Sequence, residues 1–331
     1  MEFDFTRFEE KFFPEWIEQF KSGESLGQYS WKKGGPTSLY GTTDMLISKY
    51  IINNLSLTEE QKDNWAGFIN QFQDPEKGWY RKDYTLHYKE HTTAYAIAAL
   101  YLIDRSPIHR LYEIHKDILP NRKTWEKWIE HPNWSFIWAT SHVISGVPAA
   151  LAMTGEGKEE FYEWCFNWLD READPKTGFY RRGLLHKIWK SRISKHELGG
   201  AFHMYYVYEF FDRTWPYPEK IVDHTLNLQH ENGLWDKDVT YCIDLDAIYC
   251  LTRSSRNAGN YRKRDVKEAI IKYLKRADQI FNNKDFFFGS YDNSHRLTGA
   301  LSAIAECQKF YPDLVKTKKP WRQSLDKACF I

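Results

Sequence analysis

The stretch HTTAYAIAAL at residues 91–100 decides the fold, because it recurs in altered form five more times along the chain. In each copy a polar residue opens a segment rich in alanine, glycine and apolar side chains, which is typical of a buried helix and its start. The six copies are residues 42–47, 91–100, 141–147, 196–202, 244–251 and 295–301. Measured between Asp44, His91, His142, His196, Asp246 and His295, the spacings are 47, 51, 54, 50 and 49 residues. The chain is therefore an internal repeat.

An amphipathic segment and a turn of glycine and aromatic residues precede most copies, for example Gly78-Trp79 and Gly178-Phe179. Each repeat is thus a helix, a turn and a second helix, without a convincing strand. Six such hairpins predict an all-α fold, a single (α/α)6 barrel in which residues 1–331 form one domain. The small apolar helices suit an inner ring and the charged segments an outer ring. An open superhelical array is the alternative.

Composition excludes several classes of protein. The 46 Lys and Arg residues nearly balance the 45 Asp and Glu residues, which argues against a nucleic-acid partner. We expect no transmembrane segment, because no apolar run approaches the roughly 18–20 residues that span a bilayer. The N-terminus lacks the pattern of a signal peptide, which predicts a cytoplasmic protein. Five scattered cysteines indicate reduced thiols, and 17% aromatic residues indicate either a large core or an aromatic-lined cavity.

Polar side chains at the starts of the inner helices are the candidate functional residues, since these starts would meet at one end of the barrel. The candidate catalytic residues are Asp244, Asp246, His196, Glu197 and His295, and His91 and His142 are candidates for substrate binding. The alternative for each is a helix cap. Asp244 and Asp246 also lie two residues apart in an apolar stretch, so their repulsion should raise one pKa and leave a protonated acid.

Cations and aromatic rings extend the candidate binding site. Residues 179–196 contain no acid and six Lys or Arg, among them Arg181, Arg182 and Arg192, and this loop is either an anion clamp or a solvated surface. Trp79, Trp138, Trp235 and Tyr291 are expected to stack on a substrate or to pack between hairpins.

The motif QHENGLW at residues 229–235 matches the Gln-x-x-x-Gly-x-Trp repeat of terpenoid cyclases and protein prenyltransferases, and residues 73–79 keep its Gln-to-Trp spacing. The chain therefore resembles this α/α toroid superfamily, which implies an isoprenoid substrate. The family's Asp-x-Asp-Asp acid motif would make Asp246 the proton donor, with Ala247 at the third position. In the prenyltransferases, a zinc site corresponds to Asp244, Asp246 and His295, with Asp246 in place of a cysteine. His142 or His196 would complete a site for a divalent metal, zinc or magnesium.

Three functions are compatible with these features, and the first two act on a small-molecule substrate. The first is an isoprenoid enzyme like the terpene cyclases and prenyltransferases. The second is a glycosidase or polysaccharide lyase that acts on an acidic glycan with carboxylate and histidine acid–base chemistry. The third is a scaffold that has kept the fold and lost the chemistry. The first predicts a closed aromatic cavity and the second an open polar groove.

Overall fold

A computed structural model describes residues 1–81, 87–184, 186 and 193–331, and these are mostly helical. The α-helices, numbered in chain order, are α1 (Phe13–Glu18), α2 (Leu39–Ile51), α3 (Glu59–Asn70), α4 (Lys89–Leu102), α5 (Arg122–Glu130), α6 (Ile137–Thr154), α7 (Glu159–Glu172), α8 (Lys195–Phe210), α9 (Pro218–Asn227), α10 (Cys242–Asn257), α11 (Lys263–Phe281), α12 (Lys284–Ser290) and α13 (Ser294–Phe310). Two short strands, β1 (Phe3–Asp4) and β2 (Val315–Lys316), pair in parallel. The all-α prediction is confirmed at this level.

Each of the six repeated segments lies in a long helix, namely α2, α4, α6, α8, α10 and α13. These six helices are buried over most of their length. Their alanine, glycine and small hydroxyl residues let neighbouring helices approach closely. The helices between them are different. In α11, Val266, Ile270 and Leu274 recur every fourth residue and are buried, whereas most charged residues of that helix are exposed.

The chain divides into two compact units. The first consists of Met1–Phe68 and Ile221–Ser324. In it α13 packs against both α2 and α10. Two hydrogen bonds show that α2 and α13 are parallel: Ser294 donates to Asp44 at 2.6 Å, and one turn further along both helices Ser48 meets Thr298 at 3.2 Å.

A buried ion pair joins α10 to α13 in the same unit. The Arg253 guanidinium makes two hydrogen bonds to Glu306, at 2.8 and 3.0 Å, and both side chains are almost inaccessible to solvent. Thr252 and Gln323 donate to the same carboxylate. Because the carboxylate is so fully hydrogen-bonded, the pair offsets the cost of burying two charges.

The second unit consists of Ile69–Lys220 and Leu325–Ile331, and in it α6 packs against both α4 and α8. Ser141 of α6 meets His203 of α8 at 2.8 Å, and Ser145 meets Tyr206 at 3.0 Å. The second contact lies about one turn further along the chain than the first in both helices, so α6 and α8 are parallel. Parallel neighbours of this kind bring residues near the start of one helix beside residues of the next.

One helical segment, Trp134–Thr154, is long and apolar enough to cross a membrane, with a mean hydropathy of 1.4. However, 72% of it is buried inside the protein, which is the environment of a core helix. The described residues therefore contain no clear transmembrane segment. All five cysteines are free, and four of them are buried.

Candidate functional site

Three histidines form a buried group in the second unit, which we call the histidine cluster: His87, His91 and His142. One ring nitrogen from each lies within 4.8 Å of the other two. The ring centroids of His87 and His91 are 4.0 Å apart, and those of His91 and His142 are 4.7 Å apart. Imidazole nitrogens at this spacing are suited to proton transfer or to metal binding.

Close packing of α4 against α6 assembles the cluster. His91 is the third residue of α4, and His142 is the sixth residue of α6. Gly146 lies one turn after His142, and a Cβ atom there would be 2.6 Å from the carbonyl group of Glu90. Glycine thus permits an approach that no other residue allows. His87 lies before α4, and the extended backbone of Tyr88 leads from it into the helix.

His203 of α8 is next to the cluster, with its ring centroid 4.8 Å from that of His142. The Ser141 hydroxyl lies 2.6 Å from the Trp138 carbonyl and 2.8 Å from Nδ1 of His203. When its one hydrogen is donated to the carbonyl, the hydroxyl accepts from Nδ1, and Nε2 of His203 then holds a lone pair. Burial lowers the pKa of His203 well below its usual range, and His142 lowers it further. His203 is therefore a neutral base.

Aromatic side chains adjoin the cluster. The ring of Phe330 meets His91 edge-on at 5.0 Å, and Tyr95 stacks on His91 at 6.0 Å. Tyr206 in turn contacts Phe330 at 5.3 Å. These rings lower the local polarity, which strengthens interactions of the imidazoles with a bound charge.

A basic pocket of about 740 Å³ lies in the same unit and is lined by Arg171, Lys176, Arg181, Arg182 and His186 together with Glu172 and Asp174. Arg182 pairs with Glu172 at 2.8 Å. Arg181 and His186 lie 3.6 and 3.5 Å from Glu197, in the first turn of α8. Part of the predicted anion clamp therefore lines a pocket of the size that holds small ligands. Arg192 lies outside the described residues.

Two carboxyl groups of α10 are buried in the first unit. Asp244 accepts hydrogen bonds from the backbone of Trp235 at 2.7 Å and of Tyr241 at 3.0 Å. Burial nevertheless raises the pKa of Asp244 to about 7. Neither carboxyl oxygen of Asp246 has a hydrogen-bond partner, and burial, followed by the charge of Asp244, raises the pKa of Asp246 well above its ordinary value. A pKa increase was expected from repulsion alone, but burial is its main cause.

His295, the third member of the metal set expected from the resemblance, pairs with a different acid. Its Nδ1 lies 2.9 Å from Asp44, which also accepts from Ser294. The described residues contain one group of side chains whose ligand atoms are close enough to hold a metal ion, the histidine cluster. This group does not include Asp244, Asp246 or His295.

Comparison with family models, with curated proteins and with solved structures finds no match. The resemblance to the cyclases and prenyltransferases therefore depends on the sequence motifs alone.

The remaining candidates make local contacts, and their predicted functional roles stay predictions. Glu197 completes a capping box by accepting hydrogen bonds from the Ser194 backbone and hydroxyl. His196 is exposed, and its ring is 5.3 Å from that of Trp138. Trp235 and Tyr291 are buried and donate to backbone carbonyls, of Thr225 and Thr240. Trp79 is buried beneath the Lys89 ammonium group at 4.6 Å.

Sequence reasoning chose His91 and His142 but missed His87 and His203. His87 precedes its helix, outside the repeated segment, and His203 is the ninth residue of α8, beyond the helix start on which the search was centred. The spacing of His87 and His91, four residues apart with Glu90 between them, was the available signal.

Proposed function

We propose that this chain is an enzyme that cleaves an acidic glycan by elimination, with the histidine cluster and His203 at its catalytic centre. One observation carries the proposal: the basic pocket and the histidine cluster both have residues in contact with α8. Glu197, which is next to Arg181 and His186, and His203, which is next to His142, are six residues apart on this helix. That separation is about 9 Å along the helix axis and about 120° around it.

The chemistry needs a base and a counter-charge. In an elimination, a base removes the proton on the carbon beside a uronate carboxylate. The glycosidic oxygen leaves from the next carbon and takes up a proton from the protonated base or from water, which gives an unsaturated sugar and a free hydroxyl group. We assign the base to His203, because its Nε2 is free of hydrogen in the tautomer in which Nδ1 donates to Ser141. Arg181 in the basic pocket provides a guanidinium that would neutralise the carboxylate and so favour removal of the proton.

The test is a screen of the full chain against uronate-containing polysaccharides and oligosaccharides, with the ultraviolet absorbance of the unsaturated product as the signal. We expect His203→Gln to lower kcat by about 100-fold or more. Arg181→Gln should mainly raise KM. His131→Gln, at an exposed histidine of the same unit, is the matched control and should leave both constants unchanged. An unchanged rate for His203→Gln, or no cleavage of any uronate polymer by the folded wild type, would refute the proposal.

The closed six-hairpin toroid is part of the proposal. Its support is the long helix at each of the six repeated segments and the parallel packing of these helices within each unit.

An isoprenoid enzyme is the second candidate, and the state of Asp246 supports it. Burial and the charge of Asp244 favour the protonated form of this carboxyl group, which is the form that donates a proton to an alkene. A cavity of about 370 Å³, lined in part by Tyr241 and Arg296, lies at the start of the same helix. Incubation with isoprenoid diphosphates tests this candidate. Conversion that is lost in Asp246→Asn supports it, and absence of conversion excludes it.

A further inference from the structure

We infer that His87, His91 and His142 bind one transition-metal dication, for which zinc is the best match. This inference concerns metal binding and does not require the glycan cleavage proposed above. It also differs from the metal set that the sequence suggested, because Asp244, Asp246 and His295 are not among the three ligands and His142 was expected only to complete that set.

The first argument is distance. In a tetrahedral zinc site with Zn–N bonds of about 2.1 Å, ligand nitrogens are about 3.4 Å apart. The three ring nitrogens are already within 4.8 Å of one another. Small rotations of the imidazole rings therefore suffice to bring them onto one ion, without movement of the helices.

The second argument is the rigidity of the support. His91 and His142 lie on neighbouring helices whose backbones are in contact at Glu90 and Gly146. Both helices are buried over most of their length, so His91 and His142 are held on the core, and His87 is joined to α4 through Tyr88. Ligands that are placed before the ion arrives lose little conformational entropy on binding it.

The third argument is the chemistry of the ligands. Three neutral imidazoles select zinc, copper, nickel or iron, whereas magnesium and calcium prefer oxygen ligands. Three protein ligands also leave one position of a tetrahedral ion open, which is the arrangement of catalytic rather than structural zinc. His203 lies beside this group, with its ring centroid 4.8 Å from that of His142, and is not one of the three ligands.

The experiment is a calorimetric titration of zinc chloride into the full chain after chelator treatment. We expect one zinc per chain, and at least about 100-fold weaker binding for His91→Gln and for His142→Gln. His131→Gln is the control and should bind as the wild type does. His142→Cys supplies another zinc ligand and should restore much of the affinity that His142→Gln loses.

Folding of the variants is monitored by circular dichroism without metal. A second measurement needs no variant: cobalt replacing zinc in the wild type should give the visible absorption bands of a tetrahedral site. Absence of zinc binding by the wild type, or binding that survives His91→Gln and His142→Gln, would overturn the inference. Zinc binding without glycan cleavage supports the metal site and rejects the proposed function. Cleavage by a chain that binds no zinc rejects the metal site alone.

Discussion

The buried carboxyl group of Asp244 predicts a specific dependence of stability on pH. In the folded chain burial raises its pKa from an ordinary value of 3.8 to about 7. Between these two values the folded state keeps a proton that the unfolded state releases. The stabilisation is therefore complete below about pH 4 and is lost as the pH rises to about 7. Asp244→Asn removes this titration.

The magnitude follows from the shift. Three pKa units, at about 1.4 kcal/mol each, amount to about 4 kcal/mol. Asp244→Asn also disturbs the hydrogen bonds from Trp235 and Tyr241, which costs about 1 kcal/mol for each bond lost. That second cost does not depend on pH. The lost hydrogen bonds therefore shift the curve of unfolding free energy against pH as a whole, whereas the lost titration changes its slope.

The assay is urea unfolding of the wild type and Asp244→Asn, followed by tryptophan fluorescence from about pH 4 to about pH 8. The stability advantage of the wild type should shrink by about 4 kcal/mol across this range. Asp74→Asn is a matched control, because Asp74 also accepts two backbone hydrogen bonds but is exposed, and its pKa is lowered. Its effect should be nearly constant above about pH 5. A constant difference for Asp244→Asn as well would show that burial does not govern this carboxyl group.

Two further substitutions test the packing that the proposals assume. Gly146→Ala should destabilise the fold by about 1–3 kcal/mol in thermal unfolding and weaken zinc binding, because its Cβ would clash with the Glu90 carbonyl. The control is Gly67→Ala, in open space on α3, which should leave the stability equal or slightly higher. Equal losses of stability in the two variants would contradict this account. Arg253→Met should cost about 3–5 kcal/mol in urea unfolding by leaving the Glu306 charge buried without its partner, and adding Glu306→Leu should recover most of that loss. A double variant as unstable as the single one would refute the second expectation.

The helical character of the chain could be predicted because the repeat combines three independent signals. Residues 91–100 show all of them: a polar start, small residues that allow close neighbours, and no convincing strand pattern. The structure places every repeated segment in a long helix. Which helices lie side by side could not be predicted, since contacts such as Asp44 with Ser294 join residues 250 positions apart. The organisation of residues 1–331 as one domain stays a prediction.

The candidate site was harder to predict, because a helix cap and a reactive group have the same sequence signature. Glu197 was chosen as a catalytic residue, but Ser194 three residues earlier already formed the pattern of a capping box. His203 was overlooked for a different reason. Its position in the middle of a helix resembles that of a core residue, and its contact with Ser141 is visible only in the structure.

The contacts that a side chain makes in the folded protein help to distinguish a helix cap from a reactive group. Asp44 accepts from Ser294 and meets His295, and the charge of this carboxylate is thereby accommodated within its own unit. The histidine cluster brings three imidazoles together, and like-charged imidazolium ions this close would repel. Neutral imidazoles are the form that binds a metal ion. The repeat thus supplies equivalent positions in both units, and the chemistry of each position depends on the side chain that the neighbouring helix brings to it.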